Sequence, residues 1–352
     1  MYVHLPAMRG QIGSRTYYAC LMPLSAIPNL FKFTDWAGFT PEDREQRVLN
    51  VKRVPDLANY MLENEDDYLF SSITASYKSE PIYEATAANG EGGSIGVLKL
   101  KLGDELIIND GQHRCAGIAQ ALKQNPALGD HTISVLLFPY ENRERVQQMF
   151  SDLNRFVVKT SKSLDILYDR RDPVSIATMF ALDKVPVFKE LTEKENISLK
   201  AKDTKLFTLA AFYDANTELL KAHDEDIEQA TNRLVEFWST VAKHVPDWNM
   251  VLSGRKTSME VRAGNISSHS TVLRALGGIG AELMKREDWK ERLSGIEKID
   301  WSKKNQDWDN ICIVANSVVS NRQARAATKA YIKNQLGLEL TEGETRSITK
   351  AA

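Results

Sequence analysis

Apolar and polar positions along the chain fall into two regimes. In the first, short runs alternate like strands with one buried face: residues 97–102 read Val-Leu-Lys-Leu-Lys-Leu, and 132–138 read Thr-Ile-Ser-Val-Leu-Leu-Phe. Gly103-Asp104 predicts a hairpin turn into the next apolar run, Leu106-Ile107-Ile108. That run ends in a polar turn, Asn109-Asp110-Gly111-Gln112-His113-Arg114, which opens a helix. Cys115, Ile118, Ala119 and Leu122 then fall at i, i+3, i+4 and i+7, which gives that helix one buried face. A further helix after residue 138 places Val146, Met149, Phe150 and Leu153 together. Residues 1–35 mix short apolar runs with Pro6, Gly10, Gly13, Pro23 and Pro28, and suit strands and loops. Thr40-Pro41-Glu42-Asp43 is a helix start, with a capping hydroxyl, proline at the first helical position and acids in the first turn. Another helix begins near Pro55 and buries Leu57, Tyr60 and Met61, and the glycine-rich stretch 85–94 reads as an exposed loop inside a hairpin.

The second regime begins near residue 163. Helix-length apolar spacing covers 206–220, 227–245, 272–284 and 324–336, while the charged run from Lys221 to Glu228 is a solvated loop and helix start. There is no internal repeat and no low-complexity tract. The expected fold class is therefore α+β, with a mixed α/β domain over 1–160 followed by a mainly α-helical domain over 161–352.

The turn at 110–114 is the strongest candidate for chemistry. Gly111 lets the chain leave the strand at a φ that other residues resist. Gln112, His113 and Arg114 then crowd a helix N-terminus, where free N–H groups and the helix dipole attract anions. Arginine offers a fork for phosphate or carboxylate, and histidine changes charge near neutral pH. Asp110 and His113 are the catalytic candidates, and Asp110 could hold Mg²⁺ beside a nucleotide. From the turn alone, the competing reading makes Asp110 a helix cap and His113 a satisfied polar group.

Three further clusters carry cations. Asn154-Arg155 and Lys159-Thr160-Ser161-Lys162-Ser163 interleave Arg and Lys with small hydroxyl residues, a phosphate cradle or else a basic linker. Arg47, Asn50 and Arg53 lie where one helix ends and another begins, and surface capping is their plainer role. The terminal helix, with Ser320 as N-cap and Gly337 just past its end, spaces Arg322, Arg325, Lys329 and Lys333 by three, four and four residues. All four share one face, which suits a phosphate backbone as well as it suits solvent.

Composition narrows the choice. A formal net charge of -2 excludes a globally basic nucleic-acid binder, so any DNA contact must come from a local patch. Cys20, Cys115 and Cys312 are too far apart for a CxxC pair, which argues against a disulfide framework, a zinc site or an iron–sulfur cluster, and no metal ligand set is expected. The opening residues lack a signal-peptide pattern and no apolar stretch has the length of a membrane span, so a cytoplasmic location without membrane contact is expected. No HExxH, GxSxG or Walker-type pattern appears.

The order strand, strand, Asp110–Arg114 turn, helix, strand, helix resembles the fold shared by the N-terminal domain of ParB-type partition proteins and sulfiredoxin. In those relatives the corresponding Gly/His/Arg turn binds nucleotide phosphates. Sulfiredoxin places its reactive cysteine immediately before the His-Arg pair; here that position is Gln112, and Cys115 lies on the apolar face, so sulfur chemistry is not expected. A longer ordered series narrows the resemblance. It includes Pro6-Ala7-Met8-Arg9-Gly10, Tyr17-Tyr18, Met22-Pro23-Leu24, Gln46-Arg47-Val48-Leu49-Asn50 and Arg53-Val54-Pro55. It continues through the stretch from Asp67 to Ala75, the turn itself, the stretch from Met149 to Arg155, and Leu336 to Leu340. Over most of its length the chain resembles the DGQHR-domain family, and within it the DndB proteins of DNA sulfur modification.

The resemblance implies a DNA-binding repressor of the phosphorothioate modification genes, acting at the promoter of the modification operon. Other phosphorothioation proteins are candidate partners, and self-association is left open. For the site it implies a nucleotide pocket built from Asp110, Gly111, Gln112, His113, Arg114, Asn154 and Arg155, taking ATP or another nucleotide with Mg²⁺. Arg47, Asn50 and Arg53 could extend that pocket, and Lys159, Lys162, Arg322, Arg325, Lys329 and Lys333 are candidates for DNA. The alternative is a nucleotide-hydrolysing, ATPase-like enzyme acting directly in the pathway. Residue types do not separate the two, because groups that hold phosphates and groups that cleave them are the same.

Overall fold

The computed structural model describes residues 1–31, 49–87, 93–104, 106–155, 160–221, 226–315 and 317–349. The chain divides into two compact units, Met1–Val158 and Lys159–Ala352, each with an apolar core of its own. The helix start expected at Thr40 lies outside the described residues, as do Arg47, Lys159 and part of the 85–94 loop.

The N-terminal unit runs β1 (Tyr2–Ile12), β2 (Arg15–Pro23), α1 (Ile27–Leu30), α2 (Val54–Glu63), β3 (Ile73–Tyr77), β4 (Ile82–Ala85), β5 (Ile95–Lys101), β6 (Leu106–Asp110), α3 (Gln112–Gln124), β7 (Thr132–Pro139) and α4 (Arg143–Arg155). Its strands form one mixed sheet in the order β4-β5-β1-β2-β7-β3-β6, in which only β3 and β7 run parallel. The hairpin expected at Gly103-Asp104 does not form. Gly103 does take a left-handed φ of 99, but β5 pairs with β1 and β4, whereas β6 pairs with β3 at the opposite end of the order. The four residues 102–105 can extend only about 14 Å, so the two ends of the sheet must curl towards each other. They do: Leu100 and Lys101 line a single cavity of about 270 Å³ with Tyr77 and Leu106.

One face of this sheet carries the unit's core. Leu5, Met22, Ile73, Val135 and Leu137 meet Cys115 and Ile118 of α3 and Ala58 and Met61 of α2, all fully buried. Gly117 sets the approach of the two helices, because a Cβ there would stand 2.7 Å from Leu57 Cβ. That contact explains a shift in α3: Gly117 and Ala121 are buried with Cys115 and Ile118, while Ala119 and Leu122 are only half-buried.

The second unit is mainly helical: α5 (Lys162–Tyr168), α6 (Pro173–Lys184), α7 (Pro186–Leu191), α8 (Leu209–Leu220), α9 (Ile227–Lys243), α10 (Pro246–Leu252), α11 (Ser258–Gly264), α12 (Ser270–Leu283), α13 (Trp289–Ser294), α14 (Arg322–Gln335) and α15 (Glu342–Thr349). Its centre is aromatic. Phe188 stacks on Phe212 at 4.1 Å and meets Trp238 and Trp248 edge-on. The buried Asn216 amide beside this centre is satisfied: it donates to Thr178 and accepts from the Trp238 indole at 2.6 Å. The helix ends differ from the periodicity by up to three residues, and at α8 and α14 the cause is visible. Phe207–Thr208 pairs as a short strand with Thr192–Glu193, and the Thr208 hydroxyl starts α8 by accepting from the Ala211 N–H. Asn321, not Ser320, caps α14, while Gly337 closes it at a φ of 63. Among the described residues no helix is long and apolar enough to cross a membrane. The mixed sheet followed by helices is the α+β arrangement that the pattern predicts.

Candidate functional site

The site is built where β6 breaks its register. Thr74 pairs with Asp110 and Ala75 with Ile108, so Asn109 is the extra residue of a bulge, a device that re-aims side chains. Asn109 is buried; its amide donates to the Ser76 hydroxyl at 2.8 Å, and its Oδ1 has no partner among the described residues. Gly111 then takes a φ of 105. A side chain there would be strained, and its Cβ would stand 3.2 Å from both Arg114 Nη2 and Ile73 Cγ1. The first bond of α3 runs from the Cys115 N–H to the Gly111 carbonyl. N–H groups ahead of it have no partner within the helix, and glycine in the N-cap position has no side chain to give them.

Asp110 does not cap α3. Its carboxylate takes the Arg114 Nη2 at 2.6 Å, and the Arg114 Nη1 donates to the Ser71 carbonyl, the Ser71 hydroxyl and the Ser72 carbonyl at 2.5, 2.6 and 2.7 Å. The guanidinium expected to face an anion is thus directed inward, clamping the start of α3 to the segment that enters β3. Its side chain is only 15% exposed. His113 is engaged as well: its Nε2 accepts the Asn50 backbone N–H at 2.9 Å, which places the ring proton on Nδ1. Asn50 Oδ1 in turn accepts from Lys52 and starts the 3-10 turn Val51–Arg53 that leads into α2. Two clusters read separately in the sequence therefore meet. Arg53 stands exposed at the head of α2.

The remaining candidates lie on other elements. Asn154 donates to the Phe150 carbonyl of its own helix, and Arg155 closes α4. In the second unit Lys162 pairs with Asp214 and lies over the Tyr213 ring. The basic stripe on α14 is divided. Lys333 is 3% exposed and lies between Glu282 and Glu344 at 2.8 Å each, while Lys329 pairs with Glu282. These two lysines therefore dock α14 onto α12 and α15 and present no free charge, a correction to the four-cation face. Arg322 and Arg325 keep no carboxylate partner among the described residues.

Burial pushes the Cys115 and Cys20 thiols up to about 12 and Cys312 to about 11, so none is a thiolate near neutral pH. Sequence reasoning missed Ser71, Ser72, Ser76 and Asn109 as members of the site. Their only signal was a pair of small hydroxyl residues ahead of the apolar run at Ile73.

The geometry offers an uncapped helix N-terminus at a glycine, braced by an arginine and flanked by an imidazole whose Nε2 accepts the Asn50 N–H. Such a site can receive an anion without moving its backbone. No curated protein and no solved structure matches the chain. The family model described as DndB, DNA-sulfur modification-associated, matches residues 5–339. Because that match runs from the first strand to just past Gly337 and takes in both units, the chain belongs to the DndB family of DNA-sulfur modification-associated proteins.

Proposed function

We propose that this protein is a DNA-binding repressor of the genes for DNA phosphorothioate modification, and that the turn at Gly111 holds a nucleotide phosphate that sets its affinity for DNA. DndB membership supports the modification system as its setting. The observation that carries the nucleotide pocket is the uncapped start of α3, where Gly111 admits a close approach and Arg114 stands behind. This role is also in keeping with a ParB/sulfiredoxin-like reading of the strand, turn and helix. The phosphate is received by backbone N–H groups; Arg114 holds them in place and adds a charge that Asp110 partly offsets. Hydrolysis has less support, since Asp110 is held by Arg114 and the His113 Nε2 by Asn50, so the catalytic candidates are already engaged.

DNA is contacted through cations of the second unit that no carboxylate neutralises among the described residues, exposed Arg322 and half-buried Arg325 among them. Mobility shift on the promoter of the protein's own operon, with and without nucleotide and with phosphate release followed in parallel, tests the reading. Specific binding that nucleotide shifts, without turnover, is expected. Neutralising Arg322 and Arg325 should flatten the salt dependence by up to roughly 0.9 per lost phosphate contact. Absence of promoter binding, together with unchanged transcripts after gene deletion, overturns the repressor. Steady phosphate release promotes the enzyme.

A further inference from the structure

The helical unit contains a cavity of about 330 Å³. Two helices begin at its wall. Thr208 caps α8, and His269 caps α12 by accepting the Thr271 N–H on Nδ1 at 3.3 Å. Both positive helix ends therefore meet at this cavity. Since Nδ1 accepts, the His269 proton sits on Nε2 as a donor. Burial, aided by the charge of Lys303, pushes this imidazole down to about 4, so it stays neutral across the ordinary pH range.

Two cations line the same cavity, and neither meets an acid. The Lys303 amine donates to the Arg262 carbonyl at 2.8 Å, leaving two of its protons over. Arg262 donates to the carbonyls of Lys200, Ala201 and Asp203 at 3.0, 3.0 and 2.8 Å. Among the described residues no carboxylate side chain lines the cavity. A separate sign of a ligand is Ser268. It is 7% exposed, its hydroxyl makes no hydrogen bond among the described residues, and it lines the cavity. That hydroxyl is open to the cavity and unpaired within the described protein, so it is available to a molecule that enters. Ile197, Leu199 and Leu206 supply an apolar wall.

We propose that this cavity binds a small phosphate ester, its phosphate against Ser268, the His269 Nε2 and Lys303, and its remaining part against Ile197, Leu199 and Leu206. Inorganic phosphate alone would leave most of the space empty, whereas pockets for small organic ligands begin near about 300 Å³. The site is independent of the turn at Gly111.

The test uses the full chain and the Cε1–H signals of its six histidines, with His269 assigned through His269→Asn, which keeps a capping side chain. Adenosine monophosphate, ribose 5-phosphate and inorganic phosphate are titrated in turn. The His269 signal should shift saturably with the esters, and roughly ten-fold or more tightly than with inorganic phosphate. Lys303→Gln and Ser268→Ala should each weaken that affinity, Lys303→Gln by roughly ten-fold or more, with thermal unfolding unchanged in the absence of ligand. A His269 signal that none of the three moves at millimolar concentration overturns the site. So does wild-type affinity in both variants. Equal affinity for inorganic phosphate and the esters overturns the ester. The His113 signal reports the Gly111 turn separately, so binding there is not mistaken for binding here.

Discussion

In the N-terminal unit, Arg114 gives its guanidinium to two carbonyls, a hydroxyl and the Asp110 carboxylate. In the helical unit, Arg262 gives its own to carbonyls alone, and Lys303 beside it likewise has no acid. Both arginines are fixed by backbone oxygens, yet one charge is offset inside the fold and the other remains to act on whatever enters a cavity. Lys333 repeats the first case, placed between two glutamates. A cation's position and even its hydrogen bonds do not reveal its electrostatic role. The decisive question is whether a carboxylate is among its partners.

Removing the clamp should have the largest effect. Arg114→Ala leaves two carbonyls and the Asp110 carboxylate without their donor, at a cost on the order of 3 kcal/mol in denaturant unfolding. Arg114→Lys should recover little, because one ammonium cannot reach four acceptors held by a planar fork. Near-wild-type stability in Arg114→Ala would show that the arginine is held for a ligand and not for the fold, and would erase the contrast with Arg262.

Lys333→Met comes next, at about 2 kcal/mol, since it leaves the Glu282 and Glu344 carboxylates facing each other. The same cluster should make stability depend on pH. Burial alone would raise both carboxyls, but hydrogen bonds outweigh it and hold them below the usual range, from Lys329 and Lys333 at Glu282 and from Lys333 and the Thr341 N–H at Glu344. Their stabilisation is therefore complete above the ordinary carboxylate pKa of about 4.3 and is lost as pH falls through the lowered values. Burial would likewise lower Lys333, yet its two glutamate partners raise it, so its share is lost only as pH climbs through that raised value. Acid unfolding curves of wild type and Lys333→Met that run parallel would contradict this account.

Cys115→Ala should cost about 1 kcal/mol, the loss of a small buried group. With the thiol pushed up to about 12, the folded protein should also resist alkylation at Cys115 at neutral pH. Rapid labelling there would return a chemical role to the thiol. The smallest effect belongs to Lys303→Gln. Without ligand its stability should stay within about 0.5 kcal/mol of wild type, because removing a desolvated charge with no acid offsets the lost bond to the Arg262 carbonyl. A loss as large as that of Arg114→Ala would mean that Lys303 supports the fold in the same way.

Much of the architecture was legible because it depends on neighbours in the chain. Alternation marked β5 and β7, the 3.6-residue spacing marked α3, α9, α12 and α14, and the turn demanded the positive φ that Gly111 adopts. The hairpin at Gly103 was misread for a reason local pattern cannot supply. Its turn is real, but β5 and β6 find their partners elsewhere in a curled sheet. Asp110 read as a cap because capping is a local role; the arginine four residues on competes for the same carboxylate, and it prevails because Ser71 and Ser72 hold its other amino group.

The sequence by itself determined the two regimes of structure, the glycine turn with its crowded histidine and arginine, and membership of a family. Those properties arise from interactions between residues a few positions apart, or from an ordered series of motifs. Only the tertiary structure decided which way each cation is turned, and whether an acid from a distant part of the chain meets it. Arg114 meets Ser71 across 43 residues, Lys333 meets Glu282 across 51, and Arg262 meets the Lys200 carbonyl across 62. Coulombic neutralisation acts over a few ångströms in space, and the distance along the chain carries no information about it.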